Sequence, residues 1–321
     1  MRTAGFDTEI TETEGGVLGP WRAPRQMLHD QAYDGHSSIH DDTQAQRLGF
    51  KGGTIEGPTH FSQFVPLCAS LWGEWWFRRG CISVHFRTAA YAGERLQASI
   101  VAPPDQDDVV PITMRKEDGA EVLQGAASIG LPPDGTYLGR RIEDLTPPAD
   151  LVILGEMAVG MRTPPRAAGM TMNELLGPLY PFSLAEKVRA MTEPSAWYVD
   201  PPVGSPFDRP IIPLEMISVL ALRDGELDGW PIRKPVVGLF VDQEIAVLEG
   251  PLYVGEPFQM VREVIALSQS RRTESLWTKT SLFRPGRVKP CAHVLLNQAY
   301  LTASYPDYDA ELERRRAGRV S

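Results

Sequence analysis

YAGERLQ at residues 91–97 and YVGEPFQ at residues 253–259 are two copies of one short pattern, Tyr-x-Gly-Glu-x-apolar-Gln. Each Gly-Glu pair is typical of a tight turn, and each copy continues into alternating apolar and polar residues, LQASIVA in the first and FQMVREVIAL in the second. Alternation with a period of two predicts a half-buried β-strand. Because the pattern recurs after 162 residues, it indicates an internal duplication.

Further strands and one apolar helix accompany each copy. The first copy continues with VVPITMR and EVLQGAASIGL, and the second with RTESLWTKTSLF. Upstream of each strand block, a largely apolar stretch begins at a proline, Pro58 in the first copy and Pro213 in the second. Proline is favoured at the first helical position, and a helix that is apolar on all sides is buried. The sequence therefore predicts two buried helices, each wrapped by antiparallel strands.

This order of elements predicts an α+β chain with a double hotdog fold, in which a long helix wrapped by an antiparallel sheet occurs twice. We expect an N-terminal hotdog at residues 1–131 and a C-terminal hotdog at residues 171–321. The intervening residues 132–170 contain LPPDG, TPPAD and RTPPRAAG. Such Pro-rich stretches predict a linker that crosses the surface.

Composition excludes several classes of partner. The 321 residues have a net charge of -9, which argues against a nucleic-acid partner because phosphate binding needs a cationic surface. No stretch is apolar over the ~20 residues that a membrane span needs, and the N-terminus lacks the apolar core of a secretory signal. We therefore expect an intracellular, cytoplasmic protein without a membrane partner. The three cysteines, Cys68, Cys81 and Cys291, are expected to be buried thiols.

HSSIHDDTQAQRLGFKGGTIEGPTHFSQF, residues 36–64, resembles the hydratase-2 motif of MaoC-like (R)-specific enoyl-CoA hydratases and dehydratases. The matching positions are Ile39, His40, Asp42, Ala45, Gly49, Phe50, Ile55 and Gly57. The resemblance implies a hydro-lyase that acts on an acyl thioester of CoA or of an acyl carrier protein, as in fatty acid metabolism. No nucleotide-binding or metal-ligand spacing is found in the sequence, so we expect no cofactor and no metal.

The chemistry that this family performs fits the residue types in the motif. Adding water to a 2-enoyl thioester needs a base, an acid and donors for the enolate-like oxygen. His40 suits the base, since a histidine titrates near neutral pH. The unpaired N–H of Gly57 at a helix start suits the oxyanion donor, and the missing side chain lets a thioester carbonyl approach.

The motif also departs from the family pattern. The catalytic Asp of the family lies five residues before the His, where this chain has Gly35, and the His of the family's His-Gly pair is Glu56 here. Asp34, one residue away, and Glu56 are the two candidates for the carboxylate that orients the ring of His40 or shares its proton transfer. Burial would raise the pKa of Glu56 and allow it to act as an acid. His60 is expected to be solvent-facing or to cap a helix.

The second copy lacks these groups. Aligning the two copies places Trp197 opposite His40 and Pro213 opposite Glu56. The C-terminal half is therefore expected to shape the acyl pocket while the N-terminal half reacts.

Three alternatives remain open at this stage. His40 could be a loop histidine satisfied by Asp41 or Asp42. The protein could be a hotdog thioesterase, in which a carboxylate directs water at the carbonyl. It could also be a non-catalytic subunit that binds acyl thioesters, since Gly35 replaces the catalytic Asp. The oligomeric state is open as well, because a fused pair can be a monomer or form a homodimer.

Overall fold

A computed structural model describes residues 5–32, 38–101 and 109–317. Within them the chain forms an 11-stranded sheet in the order β1-β2-β4-β5-β6-β3-β8-β11-β10-β9-β7, and paired strands are antiparallel. The strands are β1 (Thr11–Thr13), β2 (Gly16–Leu18), β3 (Gly80–Phe86), β4 (Leu96–Val101), β5 (Val109–Lys116), β6 (Glu121–Ile129), β7 (Arg166–Ala168), β8 (Gly238–Val247), β9 (Phe258–Gln269), β10 (Thr273–Phe283) and β11 (Ala292–Leu301).

The helices are short by comparison with the strands. They are α1 (Asp42–Arg47), α2 (Phe64–Trp72), α3 (Trp75–Arg79), α4 (Tyr137–Glu143), α5 (Leu184–Ala190), α6 (Leu214–Leu222) and α7 (Tyr308–Ala317), with 3-10 segments at Gly57–Gln63, Ala196–Tyr198, Gly225–Asp228 and Thr302–Ser304. In the part of the chain that the structure describes, no helix has the length and apolar character to span a bilayer.

Both predicted buried helices are present. In the N-terminal half the 3-10 segment Gly57–Gln63 runs into α2, where Phe64 and Leu67 are completely buried. In the C-terminal half α6 follows Pro213, and its residues 214–221 are all buried. The start of α6 packs against the 3-10 segment, and α6 contacts β8, β10 and β11. The sheet therefore encloses a helix from each half.

The duplicated Tyr-x-Gly-Glu turns occupy equivalent positions, as the sequence predicts. Tyr91 forms a β-bridge with Thr54, and Tyr253 forms the corresponding bridge with Ile211. In each turn the tyrosine N–H donates to the glutamate carboxylate three residues on, at 3.0 Å in the first copy and 3.1 Å in the second. Each turn contains a glycine with positive φ, 86° at Gly93 and 77° at Gly255, which residues with a side chain rarely adopt.

The two halves are joined by strand pairing. β3 of the first half pairs with β8 of the second, with Cys81 opposite Ala246 and His85 opposite Asp242. The sheet therefore continues across the duplication. Cys81 is one of the three cysteines, all of which are buried free thiols as expected.

The segment at residues 132–170 differs from the predicted surface linker. It contains α4 and β7, which pairs with β9, and it buries Ile153 and Leu154 completely. The N–H of Leu154 donates to the carboxylate of Glu274 at 2.8 Å. The physical reason is the apolar run LVIL at residues 151–154, whose burial is favourable. The division of the chain at residues 131 and 170 stays a prediction.

Candidate active site

A cavity of about 480 Å³ is lined by both halves of the chain, and this volume is typical of small-molecule sites. Its wall includes His40, Thr54, Glu56, Gly57, His60 and Phe86 from the N-terminal half, and Leu239, Phe240, Arg262, Thr278, Leu296 and Tyr300 from the C-terminal half. It reaches from β3, which carries Phe86, to β9, which carries Arg262. The lining therefore includes strands of both halves.

His40 lies in the turn before α1 and is held at two points. Its N–H donates to Oγ of Ser38 at 3.1 Å, and its ring Nδ1 lies 2.6 Å from the carbonyl oxygen of Thr54. Because a carbonyl oxygen only accepts, this contact places the ring proton on Nδ1 and makes Nε2 the basic nitrogen. Burial lowers the pKa of His40 to about 4, and the hydrogen bond to Thr54 opposes that shift only in part. The ring is therefore a neutral base at neutral pH.

The two acids that follow His40 have other roles. Asp41 caps α1, and its Oδ1 accepts from the N–H of Gln44 at 2.8 Å. Asp42 accepts from the N–H of Gly53 at 2.7 Å. The alternative in which Asp41 or Asp42 satisfies the histidine is wrong, since the ring Nδ1 contacts the backbone carbonyl of Thr54.

The carboxylate expected beside the His40 ring is replaced at Nδ1 by the Thr54 carbonyl. Asp34, one of the two candidates, lies outside the described residues. Glu56, the other candidate, lines the same cavity as His40 but accepts a hydrogen bond from the hydroxyl of Tyr180 at 3.0 Å. Tyr180 comes from the C-terminal half, so the second half contributes directly to this site.

Glu56 is a buried carboxyl group, with 6% of its surface exposed. Burial raises its pKa, while the charge of Lys187 and the hydrogen bond from Tyr180 lower it to a smaller extent. The protonated acid is therefore favoured more than for a carboxyl group in water, as expected from the sequence.

Gly57 begins the 3-10 segment directly after Glu56 and lines the cavity. A Cβ at this position would lie 2.5 Å from Cζ of Phe86. The missing side chain therefore makes room for the Phe86 ring, whereas the sequence predicts that it makes room for a thioester. Pro58 has no N–H, and the N–H of Thr59 donates to the carbonyl oxygen of Glu56 at 3.1 Å. The N–H of Gly57 is therefore the candidate donor for a developing oxyanion at this helix start.

A group of buried ionisable residues next to Glu56 was not found from the sequence. Nζ of Lys187 donates to Oγ1 of Thr59 at 2.9 Å and lies 3.5 Å from Oε2 of Glu215. His60 is 2% exposed, so it is not the solvent-facing histidine that the sequence suggested. Burial, together with the charge of Lys187, lowers the pKa of His60 to about 3. One signal was available: Glu215 is the only charged residue in the apolar run PLEMISVLAL.

The corresponding position in the C-terminal half is filled by aromatic packing. Trp197, which the alignment places opposite His40, has its ring centroid 5.2 Å from that of Phe77 and 5.9 Å from that of Phe207. Within the described residues, no cluster of three His, Cys, Asp or Glu side chains is arranged to hold a metal ion.

No protein-family model matches this chain, and no curated protein matches it. Among solved structures, a Mycobacterium tuberculosis protein with a double hotdog fold is similar over 90% of this chain and 97% of that one, with a TM-score of 0.54 and 10% identity. This chain is a double hotdog. A Chloroflexus aurantiacus structure described as a MaoC domain protein dehydratase is similar to this double hotdog over 92% of our chain and 95% of the other, with a TM-score of 0.53 and 13% identity. The α+β double hotdog expected from the sequence is confirmed.

Proposed function

We propose that this double hotdog is a cytoplasmic hydro-lyase, which hydrates a 2-enoyl thioester or, in reverse, dehydrates a 3-hydroxyacyl thioester of CoA or an acyl carrier protein. The observation that carries the proposal is the pairing, in one cavity, of a neutral imidazole with a carboxyl group whose pKa burial raises. Water addition needs a base and an acid at the same time. We assign the base to His40 and the acid to Glu56.

In the hydration direction, Nε2 of His40 takes a proton from water as the water oxygen bonds to Cβ of the enoyl group. Glu56 gives its proton to Cα, and the electrons of the double bond form the new C–H bond. The N–H of Gly57 donates to the thioester oxygen while it carries negative charge. The step leaves an imidazolium and a carboxylate, which stabilise each other until a proton returns from His40 to Glu56.

The lining of the cavity supports a substrate with an acyl group. Apolar side chains such as Leu239, Phe240 and Leu296 line the portion from the second half, which agrees with the expected acyl pocket.

The test is an assay of the purified protein with short- and medium-chain 2-enoyl-CoA. We expect the absorbance of the conjugated enoyl group to disappear without release of free thiol. Thiol release with the double bond intact would replace the hydratase with a thioesterase. No change with any enoyl or 3-hydroxyacyl substrate would favour a non-catalytic binding subunit.

The contribution of Asp34 is tested in the same assay. Asp34→Asn and Glu56→Gln remove one carboxyl group each at almost constant size. If Glu56 is the acid, Glu56→Gln lowers kcat by about 10² to 10⁴, the usual contribution of a positioned acid, and Asp34→Asn has a smaller effect. The reverse order would assign the acid to Asp34.

A further inference from the structure

Two buried carboxyl groups and one buried ammonium meet behind the cavity wall. Glu56 is 6% exposed, Lys187 is 4% exposed and Glu215 is 1% exposed. They come from three elements: the residue before the 3-10 segment, α5 and the first turn of α6. Because α6 packs against the 3-10 segment, this cluster lies at the contact between the two halves.

The charges of this cluster do not balance if both carboxyl groups are ionised. One ammonium then compensates one carboxylate and leaves a second carboxylate buried without a cation, which is strongly unfavourable. A single proton on one of the two glutamates makes the cluster neutral. Burial raises the pKa of Glu215 to about 7, and the charge of Glu56 raises it as well while Lys187 lowers it. The two carboxyl groups therefore titrate as a coupled pair.

The two glutamates differ in their contacts. Lys187 lies 3.5 Å from the carboxylate of Glu215 and donates to Thr59. Glu56 instead has the hydroxyl of Tyr180 at 3.0 Å. Direct contact with a full positive charge favours the ionised form of Glu215. The neutral Tyr180 hydroxyl and the charge of Lys187 lower the pKa of Glu56 less than burial raises it. This difference favours the proton on Glu56.

The other titratable groups around this cluster do not alter the balance. Burial lowers the pKa of His60, which stays neutral. Burial and the charges of Glu215 and Glu193 raise the pKa of Tyr198, so this phenol stays protonated. Lys116, whose charge reaches His60, is paired with Glu94 at 2.7 Å.

We propose that Glu215 and Lys187 are positioning residues with opposite effects on Glu56: the Glu215 carboxylate favours a proton on Glu56, the Lys187 ammonium disfavours it, and together they set the pH range in which the cavity has an acid. This inference rests on the proposed function, in which Glu56 protonates Cα. Neither residue needs to touch the substrate, because both act through the charge that they place beside Glu56.

Removing the two charges one at a time should shift the activity profile in opposite directions. In Glu215→Gln the Lys187 ammonium no longer has a carboxylate partner and favours the ionised form of Glu56. The alkaline limb of the profile of kcat against pH therefore moves to lower pH. In Lys187→Met the cation is gone and Glu56 holds its proton more tightly, so the limb moves to higher pH. We expect each shift to be about one pH unit or more, a tenfold change in rate at a fixed alkaline pH.

The double variant Lys187→Met with Glu215→Gln removes both charges. The alkaline limb of its profile of kcat against pH should return close to that of the unaltered protein. A merely structural role would give additive losses without this reversal. Glu244→Gln is the matched control, because Glu244 is also a buried carboxylate and its hydrogen-bond partners are Ser83 and His293. Its profile should not move. If Lys187→Met does not fold, the single Glu215 variant and the double variant still decide the question.

A direct titration separates this inference from the proposed function. With ¹³C-labelled glutamate, the Glu56 side-chain signal is assigned by its loss in Glu56→Gln and followed by NMR against pH. We expect a protonated Glu56 at neutral pH, with its titration shifted down in Glu215→Gln and up in Lys187→Met. An ionised Glu56 that neither substitution affects would overturn the inference even if the protein turns over enoyl thioesters. The expected titration without any turnover would leave the inference standing and reject the proposed function.

Discussion

His40 has its chemical character set by one backbone contact. The carbonyl of Thr54 fixes the proton on Nδ1, and burial keeps the ring neutral. A sequence motif can single out the histidine by its side chain. A backbone carbonyl group is present in every residue, so no sequence pattern shows which one the ring contacts. The sequence therefore indicates His40 as a candidate but cannot predict the backbone carbonyl that its ring contacts. The catalytic role of His40 stays a prediction.

Replacing His40 by Asn should separate orientation from basicity. The side-chain amide can still donate to the Thr54 carbonyl, but it cannot take a proton. We expect kcat to fall by about 10² to 10⁴, measured with the enoyl-CoA assay, with little change in Tm. His29→Asn, at an exposed histidine next to Asp30, is the control and should leave both unchanged. A kcat near that of the unaltered protein would mean that His40 is not the base.

His60 should make stability depend on pH. Its pKa is about 3 in the folded protein and about 6.5 in an unfolded chain. Between these values the unfolded state binds a proton that the folded state does not, so the free energy of unfolding falls as the pH falls. His60→Asn lacks this proton uptake. The variant should be less stable than the unaltered protein at neutral pH, and the difference should shrink by up to ~1.4 kcal/mol per pH unit below pH ~6.5.

Urea denaturation of the two proteins over a series of pH values measures this difference. Buried acids such as Glu56, whose pKa is raised, make the free energy of unfolding fall as the pH rises. This contribution is the same in both proteins, so it cancels when their free energies of unfolding are compared. A difference that stays constant with pH would show that His60 is protonated, or accessible, in the folded protein.

At the scale of elements, the start of the 3-10 segment and β3 are fitted to each other. Gly57 faces the ring of Phe86, and no side chain larger than hydrogen fits between them. The position of this helix start follows from the sequence, since Pro58 and the apolar run mark it. The strand that packs against this helix start, β3, cannot be predicted in the same way, because a contact between distant segments produces no local sequence pattern.

Gly57→Ala should destabilise the protein by about 1–3 kcal/mol, the usual cost of overpacking, because its methyl group meets the Phe86 ring. Phe86→Leu in the same chain should recover part of that loss. Chemical denaturation of the single and double variants measures both effects. Gly15→Ala is the control, since nothing lies within 4 Å of a Cβ there. Equal losses with and without Phe86→Leu would show that the ring is not the obstacle.

Elements with strong local patterns are predicted well, and others are missed. The repeated turns, the strands that follow them and both buried helices are found from periodicity and proline. β8 and β11 are missed, and so is α4, which lies in a segment dominated by proline. Lys187 and Glu215 are also missed as a cluster, because 28 residues separate them and only packing brings them together.

At the scale of the whole molecule, β3 and β8 join the two halves. Side chains reinforce this joint: Ser83 donates to Glu244 at 2.7 Å, and Nδ1 of His85 lies 2.8 Å from Asp242. The cavity and the buried ion cluster also use residues from both halves. Neither half can therefore open without exposing polar groups that the other half satisfies.

The protein should consequently unfold in one cooperative transition. We expect a single calorimetric peak, and coincident transitions by far-UV circular dichroism and tryptophan fluorescence. Two resolved transitions would mean that the halves are energetically independent, despite the continuous sheet.

The aromatic packing of Trp197 at the position corresponding to His40 has a consequence for inheritance. When two identical chains assemble, every mutation appears in both partners, so losing a reactive histidine from one site removes it from the other. A tandem gene frees the copies from that constraint. One copy can exchange a reacting side chain for a packing one while its neighbour keeps the original, and later mutations can then adapt each wall of the cavity separately.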